Sequence, residues 1–259
     1  MDIAPIVPGV LCSSMSLDHL ALLSADIDRF AAAVDAGPLD APVAGCPSWD
    51  LAALAAHLGG VHRWARAALV TASVPQVDRA ADPPPAEAPA LADWIRRGGA
   101  SLLDTLRTTP PDAPTWHPFP VSPKVAGLWR RRQAQEASVH RWDAEHAIGV
   151  DAHIDPASAA DGIDEYWSVM LPRLVSREQM ALPTSPFAVH AVDTGDRWVV
   201  DGHEGAVRRL ADDAHAAAEL HGNAEHLLLG LWGRPIPVDA TTSAGDTAVS
   251  DAWLSLGGA

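Results

Sequence analysis

Between Leu17 and Val34 the apolar positions Leu17, Leu20, Ala21, Ile27, Phe30, Ala31 and Val34 recur mostly at intervals of three and four. That period predicts an amphipathic helix, ended by Gly37-Pro38. A second helix is predicted from about Trp49 to Thr71, with Ser48 as N-cap and Asp50 in its first turn. Residues 72–90 are proline-rich and hold no large apolar residue except valine, so they read as a long connection. Leu91, Trp94, Ile95, Leu102, Leu103 and Leu106 place a third helix over Ala90–Arg107, although Gly98-Gly99 within it opposes helix formation. Prolines at 110, 111, 114, 118, 120 and 123 mark another loop. A fourth helix follows from Val125 to Ile148, with Gly149 as its stop.

From residue 155 onward the units shorten. One helix is predicted over Pro156–Glu178. Phe187–Val192 and Arg197–Val200 flank Asp193-Thr194-Gly195-Asp196 and read as a β-hairpin, with Val207–Leu210 and Ala216–Leu220 as further strands. Asn223–Trp232 and Ala248–Leu256 read as helices. The expected architecture is a four-helix domain over 17–152 followed by a smaller α+β domain over 153–259. Residues 1–16 are expected to be a flexible leader. The first 12 include Asp2 and no Lys or Arg, which argues against a secretory signal.

Composition narrows the function. Of 259 residues, 48% are hydrophobic, enough for a sizeable core and too many for a disordered chain. The net charge of −15, with no basic stripe, excludes a phosphate-tracking nucleic-acid binder. No apolar stretch approaches the roughly 20 residues of a membrane-spanning helix. Two cysteines, Cys12 and Cys46, make no disulfide framework, and a reducing cytoplasm is the expected location. Ten tryptophans against three phenylalanines and one tyrosine are unusual for an ordinary core. No phosphate-binding glycine loop, dinucleotide fingerprint or nucleophile elbow is present.

The candidate chemistry lies on the second and fourth helices. Glu136 and His140 are four residues apart, so they lie one turn apart on nearly the same face. Asp143 falls within about 20° of that line. A carboxylate and an imidazole so placed can share a divalent metal, and Asp143 can orient the ligands from behind. The same spacing also describes an exposed face on which Arg130, Arg131 and Arg132 pair with Glu136. His57, among Leu51, Leu54, Leu58 and Val61, is a possible third ligand from the facing helix. His62 is about 140° away from it and cannot easily face the same metal. Cys46 precedes a helix N-terminus, where a thiol pKa can fall, but no base lies beside it in sequence, which favours a structural role. Arg234, before Pro235, is either an anion clamp or a charge complementing a helix end. His146, His153, His190, His203, His215, His221 and His226 are scattered and read as surface or packing residues. Substrate-facing residues are expected in the loops 72–90 and 109–123.

Two segments resemble the mycothiol-dependent maleylpyruvate isomerase family. One runs from Cys46-Pro47-Ser48-Trp49-Asp50 through Leu54-Ala55-Ala56-His57-Leu58-Gly59, the other from Glu136 to Glu145. Glu225 to Arg234 and Gly245-Asp246 resemble its C-terminal domain. The resemblance implies a DinB-like four-helix bundle followed by a small α/β domain. It implies His57, Glu136 and His140 as ligands of Zn2+ or another divalent metal, and mycothiol as the thiol cofactor. It also implies Arg234 as a contact for thiol or substrate, and with Asp143 it is expected to serve catalysis. A metal-bound thiolate attacking a small electrophile would give cis–trans isomerisation or an S-conjugate. The rival expectations are a non-catalytic binding module on the same fold, or an enzyme using a different low-molecular-weight thiol. Ser48 stands where many relatives have glycine.

Overall fold

The computed structural model describes residues 17–257, so the expected leader 1–16 lies outside the described residues. Four long helices come first: α1 (His19–Ala36), α2 (Leu51–Thr71), α3 (Ala88–Thr108) and α4 (Gly127–Ala147). Asp18 caps α1 by accepting from the amides of Leu20 and Ala21 at 3.1 and 3.0 Å. The cap of α2 is Asp50, whose side chain accepts from the Ala53 amide at 2.8 Å. Ser48, the expected cap, lies two residues too early, because Pro42 and Asp50 are held in a β-bridge that delays the helix. Gly98 and Gly99 do not break α3, and packing is the reason. A Cβ at Gly99 would come within 2.7 Å of Ile27 on α1, and one at Gly98 within 2.2 Å of the Arg63 guanidinium on α2. These glycines trade helix propensity for close helix–helix approach. Leu23, Ile27, Phe30, Leu54, Leu58, Trp94, Leu102 and Trp129 form the core of the bundle.

The expected helix over Pro156–Glu178 is divided into α5 (Pro156–Glu165) and α6 (Leu171–Glu178) by a π-helical turn at Tyr166–Met170. A mixed sheet follows, in the order β3-β2-β1-β4-β5. Strands β1 (Phe187–Ala191) and β2 (Arg197–His203) form the expected antiparallel hairpin, and β3 (Ala206–Arg209) continues it. Strand β4 (Ala218–Gly222) lies parallel to β1. Helix α7 (Ala224–Leu231), capped by Asn223, leads to β5 (Thr241–Gly245) and the closing helix α8 (Thr247–Leu254). Strand β5 has no counterpart in the sequence expectations. Its residues Thr-Thr-Ser-Ala-Gly are mostly exposed at the sheet edge and show no apolar alternation. Phe187, Val189, Trp198 and Leu220 on one face of the sheet pack against Trp167, Leu227 and Trp253.

Helix α4 joins the two cores. Ala134, Ala137 and Ala144 face the bundle, whereas Val139 and Trp142 belong to the second core. Its polar side chains are therefore enclosed between the two, and Arg132, Gln133, Arg141, Asp143 and Glu145 are all buried. No helix among the described residues is long and apolar enough to cross a membrane.

Candidate metal centre

Helix α4 presents Glu136 and His140 one turn apart, as their spacing requires, and α2 presents His57 opposite them. The His57 Nε2 lies 3.2 Å from Glu136 Oε1, and the His140 Nε2 lies 3.5 Å from the same oxygen. One donor atom from each of the three lies within 4.8 Å of the others, the one such group among the described residues. Ligands about 2.1 Å from a tetrahedral zinc are separated by about 3.4 Å. Both of these separations are close to that figure, so the residues fit a zinc-sized cation.

Each of the three side chains is held from behind. The His140 Nδ1 meets Asp143 Oδ2 at 3.0 Å, leaving Nε2 to face the centre. Asp143 in turn accepts from Arg234 Nε at 3.1 Å and Nη2 at 2.7 Å. The second oxygen of Glu136 accepts from Arg132 Nη2 at 2.8 Å, and Arg132 also pairs with the buried Glu165 of α5. Trp49 packs on His57 with ring centroids 4.7 Å apart. A tight turn fixes the approach to α2, with Val43 N bonded to Trp49 O and Trp49 N to Cys46 O.

The electrostatics follow from these contacts. Burial pushes the Glu136 carboxyl up, but hydrogen bonds from His140 and His57 and the Arg132 charge outweigh it and hold the group well below the usual carboxylate range. For His140, burial alone favours the neutral ring. The hydrogen bonds to Asp143 and Glu136 reverse that and hold the imidazolium up to about 9. Asp143 is likewise kept ionised despite its burial, by His140 and Arg234. A divalent cation among the three donor atoms would take over the positive charge that the His140 proton supplies.

The structure gathers most of the residues singled out above. Of the three arginines, Arg132 does pair with Glu136, as the competing expectation held, but through the oxygen turned away from the histidines. His62 is fully buried and bonded to Gln133 at 2.8 Å, apart from the triad. The Cys46 Sγ lies 3.8 Å from Arg234 Nη2, a neighbour brought from the far end of the chain. Burial nevertheless pushes its thiol pKa up. His146 stacks on Trp142 and His153 meets Glu225, both away from the centre. Two supporting residues escaped the sequence reading. Glu165 carries no local signal. Gly45 does, being a glycine beside the Cys46 motif: a Cβ there would lie 2.9 Å from Arg234 and 3.0 Å from Asp143.

Residues 20–145 match the model of the mycothiol maleylpyruvate isomerase N-terminal domain, and residues 157–252 match that of the MDMPI C-terminal domain. Among curated proteins no sequence matches. The crystal structure of the mycothiol-dependent maleylpyruvate isomerase shares the fold with a TM-score of 0.57 at 15% identity, over 87% of this chain and 91% of that one. A histidine-to-alanine mutant of it superposes with the same figures, a TM-score of 0.57 at 15% identity over 87% and 91% of the two chains. With both domain models matched in order across most of its length, the chain belongs to the mycothiol-dependent maleylpyruvate isomerase family.

Proposed function

We propose that the chain is a metal- and thiol-dependent enzyme that isomerises the double bond of a small electrophile, with mycothiol as the thiol its family implies. The convergence of His57, Glu136 and His140, with separations that suit a zinc ion, is the observation that supports this reading. His57, Glu136 and His140 would hold a divalent cation, which would stabilise the thiolate form of a thiol with a free pKa of about 8.5 at neutral pH.

The protein's own residues prepare that position. Arg132 keeps one Glu136 oxygen occupied and so aims the other at the histidines. Asp143 holds the His140 ring in the orientation that turns Nε2 inward. Arg234 keeps Asp143 ionised and in place, and both serve as positioning residues. The Nη2 of Arg234 also reaches the half-buried Cys46, which supports its proposed contact with thiol or substrate. Addition of a thiolate to a conjugated double bond forms a C–S bond while the π pair moves onto the conjugated carbonyl oxygen. The resulting single bond rotates, and return of the pair expels the thiolate and restores the double bond in its other geometry. Protonation of the resulting enolate at carbon, before the pair returns, gives an S-conjugate instead.

Metal content by mass spectrometry, with turnover of cis electrophiles in the presence of mycothiol, tests the reading. The wild-type chain is expected to carry stoichiometric metal and to regenerate free thiol, and His140→Ala to lose both metal and turnover. Net consumption of thiol would assign conjugation instead. Ligand binding without turnover, unchanged in His140→Ala, would make the chain a binding module.

A further inference from the structure

The two edges of the sheet are finished differently. Strand β3 carries Arg208 and Arg209, paired with Asp201 and Asp212, and charged side chains of this kind keep an edge from pairing with another chain. Strand β5, at the opposite edge, is Thr-Thr-Ser-Ala-Gly, with no charge, no proline and four of its five residues exposed. Its inner side pairs with β4 from Thr241 to Gly245. Beyond that ladder no backbone hydrogen bond among the described residues reaches Thr241–Gly245, so the N–H and C=O groups on its outer side stand open. An apolar residue leads into this edge. The Pro237 carbonyl accepts from the Ala240 amide at 3.0 Å, closing a turn on which Val238 is 96% exposed, the most exposed large hydrophobic side chain among the described residues.

Charge selects the occupant. Two copies of a chain of −15 repel each other, and the uncharged strip from Ala240 to Gly245 is a place where they can approach. An antiparallel strand pair about a twofold axis is self-complementary. Centred on Ser243, it sets that residue against its own copy, Thr242 against Ala244 and Thr241 against Gly245. Just outside the strand, Asp246 falls opposite Ala240 and Asp239 opposite Thr247, so no acidic residue faces another. The same register runs Val238 toward Ala248 of the partner subunit, an exposed residue at the start of α8.

We propose that β5 is a self-association surface, through which two copies of this chain join their five-stranded sheets into one continuous sheet across a twofold axis. Main-chain hydrogen bonds along the open edge supply the attraction, and Val238 adds an apolar contact at each end of the pair. Five residues and a turn make a contact at or below the roughly 1,200 Å² where stable interfaces begin. The dimer is therefore reversible and forms with rising concentration. His57, Glu136 and His140 lie in the helical bundle, outside this contact.

Sedimentation velocity and amide hydrogen exchange of the full chain, up to about 100 µM, test this. Dimer should appear as concentration rises, exchange at 241–245 should slow in step, and added salt should tighten the dimer by screening the repulsion between two acidic copies. Two double variants check the register. Thr242→Lys with Ala244→Lys lowers the net charge, yet it sets lysine opposite lysine twice and should weaken the dimer about tenfold. Thr242→Glu with Ala244→Lys sets unlike charges opposite each other in that same register and should hold the wild-type constant within about threefold. Both positions are exposed, so melting temperatures should stay at the wild-type value. Val238→Ser leaves the strand untouched and should weaken the dimer severalfold, which keeps the test intact should the lysine pair unfold the edge. A monomer at every concentration, a dimer whose 241–245 amides exchange as freely as the monomer's, or an equal response to the two double variants would overturn the proposal.

Discussion

Arg234→Met removes a cation while keeping a side chain of similar reach, and it strands Asp143. The Asp143 side chain is fully buried. It loses hydrogen bonds of 3.1 and 2.7 Å to Arg234 and keeps only the 3.0 Å contact with His140. Breaking a buried ion pair from one side costs about 3–5 kcal/mol, because the remaining charge stays desolvated. Adding Asp143→Asn removes that charge while preserving its shape. The double variant should therefore recover about 2 kcal/mol of the loss, the coupling expected between groups in direct contact. Urea unfolding with chelator present measures this without a contribution from metal affinity. Arg234→Met within about 1 kcal/mol of the wild type, or a double variant as unstable as the sum of the singles, would refute the desolvated pair. In the metal-loaded protein Asp143→Asn alone should weaken zinc binding by about 10–100-fold, since His140 loses its orienting acceptor.

Other expectations follow from single contacts. Asp161 accepts from Arg131 and Gln135 and meets His19, and the contacts with His19 and Arg131 outweigh burial and hold its carboxyl down to about 2 against an ordinary 3.8. A depressed folded-state pKa adds stability above the ordinary value that is lost as pH falls through the folded one. Asp161→Asn should thus cost about 2 kcal/mol at pH 7, with the deficit shrinking between pH 4 and pH 2 in acid-unfolding curves. Adjacent glycines of α2 should respond in opposite directions. A Cβ at Gly59 would lie 2.0 Å from the buried Trp94 ring, so Gly59→Ala should lose about 1–3 kcal/mol, whereas Gly60→Ala, with open space around it, should gain about 1 kcal/mol by thermal melting. Arg132→Met should weaken metal binding, because it frees the Glu136 oxygen now turned away from the histidines; unchanged zinc affinity would remove Arg132 from the support of the site.

The bundle was legible because its helices obey one period and pack on one core. Ile27, Phe30, Ala31 and Val34 on α1 show it directly, and all four are buried, whereas Ala21 of the same expected stripe is exposed. The edge strand β5 was not legible, since an exposed edge imposes no alternation on its residues. Spacing placed Glu136 and His140 correctly, because a helix fixes which residues share a face. It could not choose between a metal site and a solvated charged face, since that choice depends on what covers the helix.

What covers α4 is the second core, and this encloses its polar side chains. Sequence such as Arg-Arg-Arg-Gln-Ala-Gln-Glu reads as solvent-exposed, yet Arg132, Gln133 and Gln135 are buried. Buried charges persist only when paired. Here the partners come from both sides: Asp26 and Arg29 of α1 meet Arg141 and Glu145, while Glu165 and Arg234 from beyond α4 meet Arg132 and Asp143. The two residues that orient Glu136 and His140 are thus themselves anchored by residues beyond α4. A bundle without those later residues would leave Arg132 paired only with Glu136 and Asp143 only with His140, so the support of the candidate metal centre comes from beyond α4 although its three candidate ligands lie in the bundle.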